Sequence, residues 1–194
     1  CSIAMKIGLI KILKKQLMEV NKIKDHLVNS TYSYLFDTNV WLYIYGPVAG
    51  SRPDKQKIYS NLLNDILSRK ATIYITSLNI SEYINVVLNI GFRQWKRSND
   101  CANADFKRDY RSTDDYKAQL EDAILQVQEI LKVAEKRPDD FNAINIDDVL
   151  QQMSKNADYN DSYMLKSCEY GGMKLVSDDG DFKAIESRVI LLTA

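Results

Sequence analysis

Apolar positions along this chain follow two rhythms. Over residues 7–28, Ile10, Leu13, Leu17, Val20 and Leu27 recur at steps of three, four and seven, with Lys11, Lys14, Lys15 and Lys22 between them. That spacing predicts an amphipathic helix. Its apolar stripe has two natural docking places, its own domain or a second copy of the chain; a membrane-surface or RNA-binding role is the alternative. The polar Asn29-Ser30-Thr31 then divides an N-terminal extension, residues 1–30, from a single domain over 31–194. Tyr34-Leu35-Phe36 opens the second rhythm, a short apolar run typical of a buried strand, and it stops on Asp37-Thr38-Asn39.

From there the rhythms alternate. Residues 40–45 lead into a loop marked by Gly46-Pro47 and Gly50-Ser51-Arg52-Pro53. Ile58, Leu62, Leu63, Ile66 and Leu67 predict a helix, 72–76 a strand, and Ile84, Val87, Leu88 and Phe92 a second helix around Glu82. Ser112-Thr113-Asp114-Asp115 can start a long helix whose apolar face is Tyr116, Leu120, Ile124, Val127, Ile130 or Leu131, and Ala134, ending before Arg137-Pro138. Residues 142–145 read as a short extended piece. Asp161 opens a helix with Met164, Leu165 and Cys168 inward, stopped by Gly171-Gly172. Residues 174–177 and 188–192 are short and apolar enough for parallel strands. Strands alternating with helices predict an α/β fold, a three-layer sandwich around a mostly parallel central sheet of about five strands.

A length of 194 residues suits one compact domain with a sizeable core. The formal net charge of zero means that any polyanionic partner must be met by a local patch. Three cysteines, Cys1, Cys101 and Cys168, without paired spacing support neither a disulfide framework nor a zinc site, and a reducing cytoplasm is the expected setting. No stretch has the roughly 20 apolar residues needed to span a bilayer. Ile7-Gly8-Leu9-Ile10 is cut short by Lys11 and lacks the cleavage site of a signal peptide. The single histidine, His26, lies outside every candidate site, which disfavours His-dependent hydrolysis.

The chemistry lies in the acids. Asp37 and Asp179 follow predicted strands, Glu82 sits about one and a half turns into the helix after another strand, and Asp161 opens a helix. In an open parallel sheet, ligands bind in the crevice outside the C-terminal strand ends. Singly, each acid is also an ordinary cap or solvated side chain. Four together, with no His or Cys near them, form an oxygen-ligand set for a hard divalent cation and point to phosphodiester chemistry. Crowded carboxylates repel, so one of them is expected to have a raised pKa.

Leu35-Phe36-Asp37-Thr38-Asn39-Val40, Ile75-Thr76-Ser77 through Glu82, Asn160-Asp161-Ser162 and Leu175-Val176-Ser177-Asp178-Asp179-Gly180-Asp181-Phe182 resemble, in order and spacing, the motifs of PIN domains. The resemblance covers about 31–194 and leaves out the N-terminal helix. It implies a metal-dependent ribonuclease with one or two Mg²⁺ or Mn²⁺ ions held by Asp37, Glu82, Asp161 and Asp179, with Asp181 as an alternative or supplementary fourth acid. Asp37 and Asp161 would be the principal ligands; Glu82 and Asp179 would bind a second ion or position the attacking water. Thr38 and Asn39 match residues that steady the first acid and contact metal-bound water or phosphate, and Ser177 matches a small hydroxyl before the last acids. Many members are VapC-type toxins paired with a small antitoxin protein. The double acid Asp178-Asp179, the long middle segment and the basic N-terminal helix depart from a minimal toxin.

Arg93, Lys96, Arg97, Lys107, Arg108 and Arg111, interleaved with Trp95, Phe106 and Tyr110, form a basic stretch that could clamp single-stranded RNA. A solvated loop whose aromatics pack on neighbouring helices is the alternative. The expected function is thus a metal-dependent endoribonuclease. Its rivals are a catalytically weak RNA-binding or scaffold module and an aspartyl-phosphate protein, the latter needing a differently placed Lys and nucleophilic Asp.

Overall fold

The computed structural model describes residues 18–153 and 157–194. A six-stranded sheet forms the centre, built from β1 (Glu19–Lys22), β2 (Ser33–Phe36), β3 (Thr72–Ile75), β4 (Glu135–Lys136), β5 (Lys174–Val176) and β6 (Ile190–Thr193). The spatial order is β1-β6-β5-β2-β3-β4, and every neighbouring pair is parallel. Among the described residues six α-helices connect and cover it: α1 (Thr38–Ile44), α2 (Pro53–Ser68), α3 (Ser77–Ser98), α4 (Asp114–Val133), α5 (Ile146–Gln152) and α6 (Tyr159–Gly171).

Side chains alternate across a strand, so the short apolar runs feed two cores. Tyr34, Phe36, Ile73, Ile75, Val176 and Leu192 face one core, filled by Trp41 of α1, Leu62 and Ile66 of α2, Val87 of α3 and Ile130 of α4. Leu35, Leu175 and Leu191 face the other, against Leu165 and Cys168 of α6 and Phe182. Burial on both faces makes this a three-layer sandwich.

Several expectations change. Over residues 19–28 the predicted helix is absent: β1 pairs with β6 in the register Val20↔Leu191, a 3₁₀ turn follows at Ile23–Asp25, and the sheet thus begins ahead of residue 31. The rest of that predicted helix lies outside the described residues. A tertiary hydrogen-bonding edge has overridden a helical pattern, because β6 would otherwise present unpaired backbone groups. The extended piece at 142–145 is a turn leading into α5; the strand is Glu135–Lys136 instead, two residues long and too short for any periodicity to reveal. On α4 the inward residues are Ala123, Val127 and Ile130, while Ile124 and Leu131 are exposed.

The basic stretch is helical for its first part, since α3 runs on to Ser98. Its aromatics pack on one another and not outward. Trp95 and Phe106 lie 5.4 and 5.6 Å from Tyr110, which is 1% exposed, and Phe92 sits 5.3 Å from both Phe106 and Tyr110. A stacking clamp built from Trp95, Phe106 and Tyr110 is therefore replaced by a satellite core that braces α3 against the chain leading into α4.

Beyond β4, Arg137 and Asp140 form an ion pair at 2.8 Å whose side chains are only 14% and 11% exposed. Ser167 of α6 donates to the same carboxylate at 2.7 Å, and the Tyr163 hydroxyl donates to Asp139. A Cβ on Gly171 would stand 2.7 Å from the Arg137 guanidinium, so glycine is what lets the cation lie against the end of α6. Gly172 then closes the helix at φ 62°, a left-handed C-cap that favours glycine.

Candidate active site

The chain runs β2, β3, β4 outward in one direction and then returns to place β5 on the other side of β2. Between β2 and β5 the strand order reverses, and that is where a doubly wound sheet opens a crevice at its C-terminal edge. Asp37 stands directly above it. Its backbone N–H continues the ladder, donating to the Val176 carbonyl at 2.9 Å, while Ser177 does the same toward Leu192 at 3.1 Å.

Two side chains lock the first acid. Ser177 donates to Asp37 Oδ2 at 2.6 Å and Asn39 Nδ2 donates to the same oxygen at 2.5 Å. Asn39 Oδ1 in turn accepts from the Asp178 backbone at 3.2 Å, and Ser177 Oγ accepts from the Asp179 backbone at 3.0 Å. Asp37 is 7% exposed. Burial pushes its pKa up to about 7; the Ser177 hydrogen bond opposes this, and the charges of Glu82 and Asp161 add to it.

The capping box of Thr76 and Asn79 sets the start of α3, and Glu82 follows one and a half turns later. Thr38, at the start of α1, donates to Glu82 Oε2 at 2.8 Å and so ties the second acid to the first. Asp161 is the third residue of α6 and not its cap. Asp158 caps that helix by accepting from the Asp161 backbone at 3.0 Å, and the Asp161 carboxylate returns the bond to the Asp158 N–H at 3.3 Å. Burial raises the Asp161 pKa to about 6, and the charges of Asp158, Asp179 and Glu82 add to it. The expectation of a raised pKa in a crowded acid centre is met twice, by Asp37 and Asp161.

The two acids of the pair Asp178-Asp179 have different partners. Asp178 turns away to Lys55 (2.6 Å), Tyr59 (3.0 Å) and Tyr43 (3.1 Å). Burial works to raise its pKa, but the Lys55 ammonium and the two phenols outweigh it and hold the carboxyl below its ordinary value. Asp179 is the acid whose charge reaches Asp161. Asp181 is exposed, with its backbone N–H donating to Asp179 Oδ1 at 2.8 Å. Lys55, Tyr43 and Tyr59 had no sequence signal for this role; they come from α1 and α2 and meet Asp178 only in the folded chain.

Among the described residues, no three acids stand close enough to form a closed ligand cage. An all-oxygen, mutually repelling and partly desolvated set nevertheless fits a hard cation that keeps much of its own water, as Mg²⁺ does. From Glu82 and Asn160 a cleft of about 390 Å³ leads away along α3. Arg93 lines it, whereas Lys96 is turned to the Ala102 carbonyl at 3.2 Å and lies 5.0 Å from the Phe92 ring. Arg97 is exposed and not part of the cleft wall.

The PIN domain family model matches residues 34–187. No curated protein matches the chain. Among solved structures it is similar to VapBC2 from Rickettsia felis, bound to a DNA fragment from their promoter, at 15% identity and a TM-score of 0.48, over 82% of this chain and 98% of that one. It is also similar to PAE2754 from Pyrobaculum aerophilum, at 18% identity and a TM-score of 0.45, over 82% and 83% of the two chains. With the family match spanning 34–187 and the sheet order setting Asp37 at its reversal point, the chain belongs to the PIN domain family.

Proposed function

We propose that this chain is a metal-dependent endoribonuclease that hydrolyses RNA phosphodiester bonds. PIN domains are generally nucleases, and the observation that carries the reading here is the Asp37 carboxylate. It is buried, doubly hydrogen-bonded and repelled by Glu82 and Asp161, an arrangement that favours a cation beside it. A Mg²⁺ or Mn²⁺ ion, when bound, acidifies a water and neutralises charge on the scissile phosphate. Asp37 and Asp161 would hold it; Glu82 and Asp179 would bind a second ion or position the attacking water. Thr38, Asn39 and Ser177 fix the orientation of these acids through the bonds described above. Asp181 serves as a supplementary acid and Arg93 as the basic side of the substrate path, with Lys96 and Arg97 outside the cleft wall.

Cleavage of RNA is expected to require Mg²⁺ or Mn²⁺, to stop in excess chelator and to return on adding the ion. Because Asp37 and Asp161 must lose protons to bind a cation, activity should climb as pH rises through about 6 to 7. Full activity in chelator would remove the metal. Failure to cleave any RNA with Mn²⁺, with RNA binding retained, would favour the catalytically weak binding module.

A role as the toxin of a toxin–antitoxin pair belongs to this reading, with a small antitoxin protein as partner and a homodimer as the assembly. Co-purification with the product of a neighbouring reading frame, and loss of cleavage in that complex, would test it. Among the described residues no helix is long and apolar enough to cross a membrane; a cytoplasmic setting is proposed from the cysteine usage.

A further inference from the structure

Helix α3 carries Ser81, Asn85, Asn89 and Arg93 at intervals of four, so these side chains form one ridge along its surface. All four line the 390 Å³ cleft, which begins at Glu82 and Asn160. From Glu82 to Arg93 the helix rises by about 16 Å. The trough thus has an acid at one end, neutral amides along it and a guanidinium at the far end. Among the described residues Arg93 has no ion pair and no hydrogen bond, unlike Lys96, and it is exposed. Asn89 uses its Nδ2 on the Asn85 carbonyl at 2.7 Å and leaves Oδ1 as an acceptor. Asn85 keeps both a donor and an acceptor.

We infer that this trough seats the single strand flanking the scissile phosphate, with Arg93 on a backbone phosphate and Asn85 and Asn89 on base edges. The inference rests on the nuclease reading for the position of the cut, but the binding it describes can be measured alone. A narrow trough about 16 Å long, with a volume near the lower end of small-ligand pockets, admits a short stretch of one strand and has no room for a duplex. Amide side chains that present donor and acceptor together read base edges, which in RNA are accessible when unpaired. An isolated guanidinium is suited to phosphate. The trough gives the site a direction and a base preference on one side of the cut, and the selection of single strands over duplex.

The test is fluorescence anisotropy in chelator, with a labelled single-stranded RNA, its duplex and a dinucleotide. Arg93→Gln should weaken binding of the single strand and reduce the log–log salt slope by about 0.7. It should leave the dinucleotide, too short to reach that end, unaffected. Asn85→Ala with Asn89→Ala should alter the ranking of base sequences while keeping the salt slope. Arg97→Gln, outside the cleft wall, is the comparison and should keep the preferences of the parent. An unchanged slope in Arg93→Gln, equal effects of Arg97→Gln, or duplex binding as tight as single-strand binding would overturn the inference. A chain that cleaves with Mg²⁺ yet ignores Arg93→Gln removes the trough alone. A chain that binds as described but never cleaves removes the nuclease reading and leaves the trough.

Discussion

Asp37→Asn is expected to cleave nothing, to melt no lower than the parent in chelator and to gain less stability from added Mg²⁺. The amide keeps the shape and can still accept from Ser177 and Asn39 through its carbonyl oxygen, so the structural bonds survive. A hard anionic ligand and a buried charge are what disappear. The sign follows from the raised pKa of about 7. Below the unfolded value near 4, both states are protonated and Asp37 contributes nothing. Between there and about 7 the folded state binds more protons than the unfolded one, so stability falls as pH rises, and above 7 the full penalty stands. Its size is on the order of a few kcal/mol. In chelator the parent should therefore lose stability from pH 5 to 8, and Asp37→Asn should lose less over that window. Melting curves at several pH values, with and without Mg²⁺, decide the matter. A variant that melts well below the parent and keeps the parent's response to Mg²⁺ would make Asp37 a structural residue and end the site assignment.

The second large effect is expected away from the acids. Asp140→Ala strips Arg137 of its partner and Ser167 of its acceptor, in a place where the ion pair is nearly covered. Breaking a buried pair from one side costs about 3–5 kcal/mol, because the remaining charge stays desolvated. For a chain of this length the melting temperature should drop by roughly 10 °C. The same pair fastens the segment after β4 to α6, where Arg137 lies against Gly171 and Ser167 meets Asp140. Since α6 carries Asp161, the loosened helix should also lower kcat more than it raises KM. Asp140→Asn, which keeps the Ser167 contact, should recover part of the loss. A melting temperature within about 2 °C of the parent would mean that the pair contributes little.

Much of the architecture was legible in order along the chain. The apolar runs at 34–36, 72–75 and 174–176 and the helical spacing of Leu62, Leu63 and Ile66 announce their elements because burial on a two-sided sheet or a one-sided helix imposes a period. The four acids were legible for a related reason. Each sits at the end of a strand or early in a helix, and the sequence alone places all such positions on one edge of a parallel sheet. Crowding could then be anticipated; the raised pKa values of Asp37 and Asp161 come first from burial, to which the neighbouring acids add.

What only the tertiary structure decided were the pairings made across distance. Glu19–Lys22 became a strand because β6 offers it a free edge, a gain in backbone hydrogen bonds that a helical pattern of Ile, Leu and Lys cannot anticipate. Trp95, Phe106 and Tyr110 turned on one another because α3 and the segment leading into α4 bring them together, which composition cannot distinguish from a platform for bases. The direction of Asp178 was set by Lys55 and Tyr59, more than a hundred residues earlier in the chain. Local sequence specifies period and punctuation, while the direction of an individual side chain depends on which partner the folded chain brings within hydrogen-bonding reach.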